Sequence, residues 1–243
     1  MSVLPPPSEK ATFVARMFTR IADGYDRMNI IMTFGLDVWW RHVVVQKTIK
    51  STDRHILDLG TGTGPFVPQL RHAAPHSLVV GADFVAPMME AGLHRLDERA
   101  FFVGADAQTL PFADRSFDAV TAGFVIRNVS DIATTFREVW RVTKPGGRFA
   151  VLEVARPRWR IVRWGHRIYF EHVVPWIADR LGADAVAYRY LPESSRHFPD
   201  PPVLAQMLRD AGWSQVEYRL LPPGAVALHV AHKPAGDDHA PST

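Results

Sequence analysis

The sequence predicts a three-layer α/β fold, a mostly parallel sheet with helices on both faces that finishes in an antiparallel hairpin. Three observations predict it. Apolar runs and helical stretches alternate from Ile56 to Glu153, as a parallel sheet with crossover helices requires. The first run, His55-Ile56-Leu57-Asp58-Leu59, breaks into Gly60-Thr61-Gly62-Thr63-Gly64, a strand entering a glycine-rich turn where backbone can approach a ligand closely. Near the end, Val216 to Leu221 and Ala225 to Ala231 flank Pro222-Pro223-Gly224, a turn sequence that pairs them antiparallel. Five parallel strands and this hairpin make a sheet of seven.

The chain reads as helical from Glu9 to Ala22, irregular through Asp23-Gly24-Tyr25-Asp26, and helical again to Lys50. Within the α/β region, helices are expected from Pro87 to Glu98 and from Ile132 to Val142, the latter stopped by Lys144-Pro145-Gly146-Gly147. Gly147 to Val154 is the fifth strand, Arg158 to Gly182 a helical insertion, and Pro201 to Ala211 a helix ended by Gly212. With no internal repeat and no long linker, residues 1–243 are expected to form one domain. Its parts are a helical cap (9–50), a cofactor-binding core (55–154), an insertion over the substrate site (158–200) and a polar, disordered tail (234–243).

The 243 residues are 47% hydrophobic, enough to bury a substantial core. There are no cysteines, which excludes disulfides, thiolate metal sites and cysteine nucleophiles. No metal-ligand cluster is evident, and none is expected. The N-terminus lacks the basic start and apolar core of a signal peptide, and no stretch is long and apolar enough to span a bilayer, so a cytoplasmic protein is expected. A formal charge of +3 gives no case for nucleic acid. Arg156, Arg160, Arg163 and Arg167 follow helical spacing beside Ile161, Trp164 and Ile168, which describes a basic amphipathic helix. Such a helix either lies on an anionic membrane or presents a solvated arginine face over the core. Oligomeric state is not encoded visibly, and a homodimer is the default.

A dinucleotide fingerprint would be G-x-G-x-x-G with a phosphate on the next helix N-terminus. Here the spacing is G-x-G-x-G, with Pro65 where that fingerprint wants glycine. The form D-x-G-x-G-x-G, from Asp58 to Gly64, resembles motif I of the class I S-adenosylmethionine methyltransferases, whose ligand has no phosphate and presents a zwitterionic amino-acid end that Asp58 suits. An ordinary glycine-rich loop is the bland alternative. Leu78 to Asp83 is a second strand ending in an acid placed for ribose hydroxyls, and Phe102 to Ala107 supplies Asp106 where an adenine amino group could donate. An isolated acid after a strand is more often a helix cap; three strand ends in order favour an adenosyl site.

Further segments narrow the resemblance. Tyr25-Asp26-Arg27-Met28-Asn29 with Trp40, Arg127-Asn128-Val129-Ser130-Asp131, Arg141 to Gly147 followed by Leu152-Glu153, and Tyr188 to Ser194 resemble the ubiquinone/menaquinone biosynthesis C-methyltransferases. The resemblance runs from Val14 to Lys233 and implies the Rossmann-like class I methyltransferase fold, S-adenosylmethionine as cofactor, and methylation of a ring carbon on a polyprenylated quinol. Demethylmenaquinol is the leading substrate it implies, with a benzoquinol, a diverged small molecule or an inactive cofactor-binding subunit as alternatives. The family's cofactor positions fall on Thr63, Asp83, Asp106 and Ala107, beside Gly60 and Gly62. At the next position Gly123 stands where serine is usual, Val125 replaces the following glycine, and near the N-terminus Thr33 and Asp37 stand for serine and histidine.

A hydroquinone hydroxyl ionises somewhat like tyrosine, pKa ~10, so only about a thousandth is the nucleophilic anion near neutrality. An enzyme gains rate by removing that proton and by stabilising the oxyanion. Arg127 and Asn128 lie beyond the fourth strand, where they could steady the oxygens; Tyr25, Asp26 and Asn29 could close the site and assist deprotonation. Each has a structural alternative: Asp26 and Asn29 as helix caps, Tyr25 as a packed ring, Arg127 as the i+4 partner of Asp131. His172, His197 and His229 are candidate bases. The polyprenyl tail implies a membrane source and favours a peripheral contact through the Arg156 to Arg167 segment.

Overall fold

A computed structural model describes residues 5–156, 180, 190 and 193–236. The expected insertion and the end of the tail lie mostly outside them. Three helices come first: α1 (Pro7–Ile21), α2 (Tyr25–Thr33) and α3 (Leu36–Thr48). The α/β core follows with β1 (His55–Leu59), α4 (Val67–Ala73), β2 (Leu78–Asp83), α5 (Ala86–Ala91), β3 (Ala100–Gly104), β4 (Phe117–Gly123), α6 (Ile132–Val142) and β5 (Thr143–Val154). Helix α7 (Pro201–Asp210) leads to β6 (Ser214–Leu221) and β7 (Val226–His232).

The seven strands lie in the order β3-β2-β1-β4-β5-β7-β6. β1 to β5 run parallel, while β7 slots antiparallel between β5 and β6. The central strands are apolar on both sides because helices cover both faces. Leu57, Val120, Phe136, Phe149, Leu204 and Trp213 fill one face under α6 and α7. Trp40, Val44, Ile56, Phe66, Leu70 and Leu152 fill the other under α3 and α4. The chain winds from β1 outward to β3, then returns to β4 on the opposite side. The gap between the carboxyl ends of β1 and β4 is thus the switch point where open α/β sheets hold ligands.

The fifth strand begins at Thr143 rather than Gly147, and three helix boundaries differ from expectation, each for a local reason. The stretch read as irregular is a single 3-10 turn, Ala22–Gly24, and Tyr25 and Asp26 already open α2. The helix expected to run on to Lys50 breaks at Phe34 (φ 52°) and Gly35 (φ 74°), with Gly35 N–H donating to Ile30 O at 2.8 Å. The helix expected to reach Glu98 stops at Ala91, because Gly92 passes so close to the glycine loop that a Cβ there would sit 2.1 Å from Thr63 O. A short 3-10 turn, Leu93–Arg95, completes the connection and brings Arg95 to the loop.

Candidate active site

At the end of β1 the chain turns through Gly60 (φ 62°), Gly62 (φ 55°) and Gly64 (φ 75°), left-handed conformations that glycine adopts without steric cost. Gly60 and Thr61 N–H both donate to Ala82 O, at 2.8 and 3.1 Å, pinning the loop to β2. The Asp58 side chain points into the sheet. It is 1% exposed, lies beneath the loop, and accepts from Thr61 Oγ1 at 2.7 Å and Thr121 Oγ1 at 2.8 Å. Burial pushes its carboxyl up to about 6, against the pull of those hydroxyls and of Arg41. Strand alternation turns the Asp58 side chain inward, where it braces the loop on β4.

Over the loop opens a cleft with about 470 Å³ of empty space, walled by Gly60, Asp83, Phe84, Asp106, Ala107 and Asn128. Asp83 accepts from Gly62 N–H at 2.8 Å and Val85 N–H at 2.9 Å, and burial raises its carboxyl above the usual range. Each carboxylate oxygen has a second lone pair, so Asp83 can still receive ribose hydroxyls. Asp106 lies past the end of β3 and is exposed; its Oδ1 caps Gln108 N–H at 2.9 Å, leaving Oδ2 for an amino donor.

Thr63 and Gly123 are not on the cleft wall. Thr63 Oγ1 donates to Asp26 Oδ1 at 2.7 Å, while Arg95 donates to Asp26 Oδ2 at 2.8 Å and to Thr63 O at 2.7 Å. This three-residue clasp ties α2 to the glycine loop. Gly123 is a packing glycine: a Cβ there would sit 2.6 Å from the Phe66 ring. Val125 covers Gly60 in the same way, with side-chain atoms 2.2 to 2.9 Å from where a Cβ would be.

The 3-10 turn Ile126–Asn128 carries the two residues expected to handle the oxygens. Arg127 does not pair with Asp131, which instead caps α6 by accepting from Thr134 N–H at 3.0 Å. Its partner is Glu153 at the end of β5: Arg127 Nη1 donates to Oε2 at 2.9 Å and Arg127 N–H to Oε1 at 3.2 Å. The Glu153 side chain is fully buried and that of Arg127 nearly so. Burial pulls the guanidinium pKa down, but Glu153 and, more weakly, the Tyr25 hydroxyl outweigh it and leave it raised. Asn128 donates to Phe124 O at 3.3 Å and accepts from Tyr190 Oη at 3.2 Å. The Tyr190 hydroxyl is pushed up by burial, and its ring packs on Phe13 of α1.

Tyr25 meets the Phe18 ring edge-on at 5.7 Å, and Asn29 is half-buried one turn further along α2 with its carbonyl accepting from Thr33 Oγ1. Asp37 pairs with Arg41 in the core, so the carboxylate in the usual histidine's place is neutralised. Of the candidate bases, His229 is buried on β7 against Pro201 O at 2.9 Å, away from the cleft, and burial lowers its pKa. His197 lies on a second cleft described below, and His172 is outside the described residues. Glu153, Tyr190 and Lys10 are site residues that residue-by-residue reading passed over. The available signal was Glu153 itself, an acid that follows the apolar run Phe149 to Leu152 near the end of its strand and must find a buried partner.

The residues present fit an adenosyl ligand. Acids end successive strands, the walls between them are apolar, and α4 carries Pro68 in its first turn, removing one of the N–H groups a phosphate would use. Fold and site together define a class, the S-adenosylmethionine-dependent methyltransferases. Solved structures agree in fold: a Thermotoga maritima S-adenosylmethionine-dependent methyltransferase overlays with TM-score 0.64 at 20% identity, covering 90% of this chain and 99% of that one. A Haemonchus contortus phosphoethanolamine N-methyltransferase in complex with S-adenosylhomocysteine overlays at 0.59 and 16%, covering 81% and 53%.

The model of the ubiE/COQ5 methyltransferase family matches residues 7–233. A demethylmenaquinone methyltransferase of Roseiflexus castenholzii is 54% identical over 96% of this chain and 98% of its own length. One from Thermus thermophilus is 41% identical over 90% and 100%. The chain belongs to the ubiE/COQ5 methyltransferase family, and it is an enzyme that uses S-adenosyl-L-methionine.

Proposed function

We propose that this enzyme methylates a ring carbon of a polyprenylated naphthoquinol, converting demethylmenaquinol to menaquinol. The observation that carries the reading is the 54% identity, over nearly both full lengths, to a relative named for that reaction. S-adenosylmethionine, when bound, would supply a methyl already activated by its sulfonium, its carbon–sulfur bond being exchanged for one to a ring carbon that gives up its proton.

The chain's own residues bind, orient and handle protons. Asp83 receives the ribose hydroxyls, Asp106 the adenine amino group, and Gly60, Gly62 and Ala107 let backbone approach the ligand. Thr63 acts through the Asp26 clasp, and Asp58 and Gly123 by holding the loop and strand end in place. Arg127, oriented by Glu153, and Asn128, oriented by Tyr190, steady the quinol oxygens. Tyr25 and Asn29, on α2, close the site and hydrogen-bond the quinol hydroxyl, whose proton leaves to water.

A benzoquinol acceptor is the second reading, favoured by a Desulfotalea psychrophila relative, 38% identical, named for both ubiquinone and menaquinone biosynthesis. Comparing kcat/KM for reduced, short-tailed naphthoquinol and benzoquinol acceptors decides between them. A preference for the benzoquinol would overturn the first reading. No helix among the described residues is long and apolar enough to cross a membrane. A prenylated substrate nonetheless resides in one, so we extend the reading to a peripheral contact of a cytoplasmic protein through the 156–167 segment. Replacing Arg160 and Arg163 with glutamate is expected to weaken binding to anionic vesicles, and unchanged binding would sink that contact. A homodimer remains the working assumption, checked by sedimentation.

A further inference from the structure

Beside the adenosyl cleft lies a second one, with about 630 Å³ of empty space, and Ser130 borders both. The strip between them is the turn that carries Arg127 and Asn128: Asn128 faces the first cleft and Arg127 the second. Lys10 enters the second cleft from α1, opposite His197, and Pro5, Ile132, Phe198 and Pro199 supply apolar surface. Among the described residues no carboxylate lines it. The nearby acid, Glu153, is consumed by Arg127 and by Val154 N–H at 2.9 Å.

Lys10 is half-buried, yet no carboxylate pairs with it among the described residues. Its ammonium donates once, to Val129 O at 2.7 Å, which fixes Nζ on the strip between the clefts and leaves two donors. Burial lowers its pKa, partly offset by Glu153, as expected of a cation that awaits an anion. Arg127 Nε is also buried without an acceptor. A partly apolar cleft holding Lys10 and the Glu153-oriented Arg127, with no acid among its described lining, suits a flat ring bearing an oxyanion.

We propose that Lys10 contacts the substrate in this second cleft, donating to a quinol oxygen alongside Arg127 and so favouring the quinolate that attacks the methyl. The inference rests on the quinol reading above. Lys10, Arg127, Glu153 and His197, with Tyr25 and Tyr190 behind them, are the titratable and charged groups around that oxygen.

The test measures kcat/KM for reduced, short-tailed demethylmenaquinol against pH, and the Kd for S-adenosylmethionine, on the full chain and on Lys10→Met and Lys10→Arg. Lys10→Met is expected to lower kcat/KM for the quinol ~10- to 100-fold, as loss of a charged hydrogen bond to a developing anion does. It should move the acidic limb of the profile up by about one pH unit and leave the cofactor Kd within about twofold. Lys10→Arg should recover most of the rate. An unchanged profile, or a cofactor Kd that weakens as much as the rate falls, would reduce Lys10 to a strut and overturn the inference. If the wild-type chain turns over neither quinol, the functional reading fails and binding alone judges Lys10. The probe is then a ring-hydroxylated naphthoquinone, an anion at neutral pH. Tenfold weaker binding by Lys10→Met sustains the site; equal binding, or none by the wild type, overturns it.

Discussion

Glu153→Gln tests the architecture of the site most sharply. The Arg127–Glu153 pair is almost wholly inaccessible, with side-chain exposures of 6% and 0% and an N···O distance of 2.9 Å. Both carboxylate oxygens accept backbone or guanidinium donors: Oε1 from Arg127 N–H, Oε2 from Arg127 Nη1 and from Val154 N–H. A glutamine cannot reproduce this, since its amide must aim N–H groups at one of those donors, and Arg127 is left a buried charge without a counterion. Removing one partner of such a pair costs ~3–5 kcal/mol. For a chain of this size each kcal/mol lowers Tm by about 2–4 °C, so a fall of roughly 6–20 °C is expected in a thermal melt. The double replacement Arg127→Met with Glu153→Met removes both charges and should recover part of the loss, the Arg127 and Val154 N–H groups still lacking an acceptor, while quinol turnover stays lost. A Glu153→Gln protein melting within about 2 °C of wild type would refute the pairing.

Asp58 makes stability pH-dependent. Its folded pKa of about 6 lies above the ordinary 3.8, so the folded chain keeps a proton that the unfolded chain releases. The resulting stability is fully present below the ordinary value and is lost as pH rises through about 6. Relative to Asp58→Asn, the wild type should lose ~2 kcal/mol between pH 4 and 7 in urea melts, and a flat difference would contradict the burial. Gly123→Ser should cost ~1–3 kcal/mol, because the new Cβ lands 2.6 Å from the Phe66 ring; no loss would show that Phe66 yields freely. Asp26→Ala removes the acceptor for Thr63 and Arg95, and calorimetry should show S-adenosylmethionine binding weakened by about 5- to 30-fold, with an unchanged Kd ruling out the clasp as a positioning device.

What could be read in advance was whatever local pattern dictates. The apolar runs of β1, β2, β4 and β5 announced a buried parallel sheet, and Pro222-Pro223-Gly224 announced the hairpin, because period and turn chemistry act over a few residues. Asp83 and Asp106 were placed on the cleft by following strand ends. The failures are tertiary. Nothing near Gly92 in sequence says that Thr63 O will lie against it, so the helix was run on too far. The neighbours of Asp58 in sequence say nothing of the two threonines, one of them on β4, that donate to it from beneath the loop. For Arg127 the structural alternative to an oxygen contact is Asp131, four residues on, but the pairing of Gly123 with Leu152 across β4 and β5 brings up Glu153 instead. Lys10 lies more than a hundred residues from the carbonyl it holds, and only the folded chain brings the two together.

The central claim is methyl transfer to a naphthoquinol ring carbon, and incubation of the purified chain with methyl-labelled S-adenosylmethionine and chemically reduced, short-tailed demethylmenaquinol tests it most directly. The account predicts product whose label sits on the ring carbon beside the hydroxyl, located by mass fragmentation and carbon NMR. Label on oxygen, or cofactor binding with no methylation of this quinol, would contradict it.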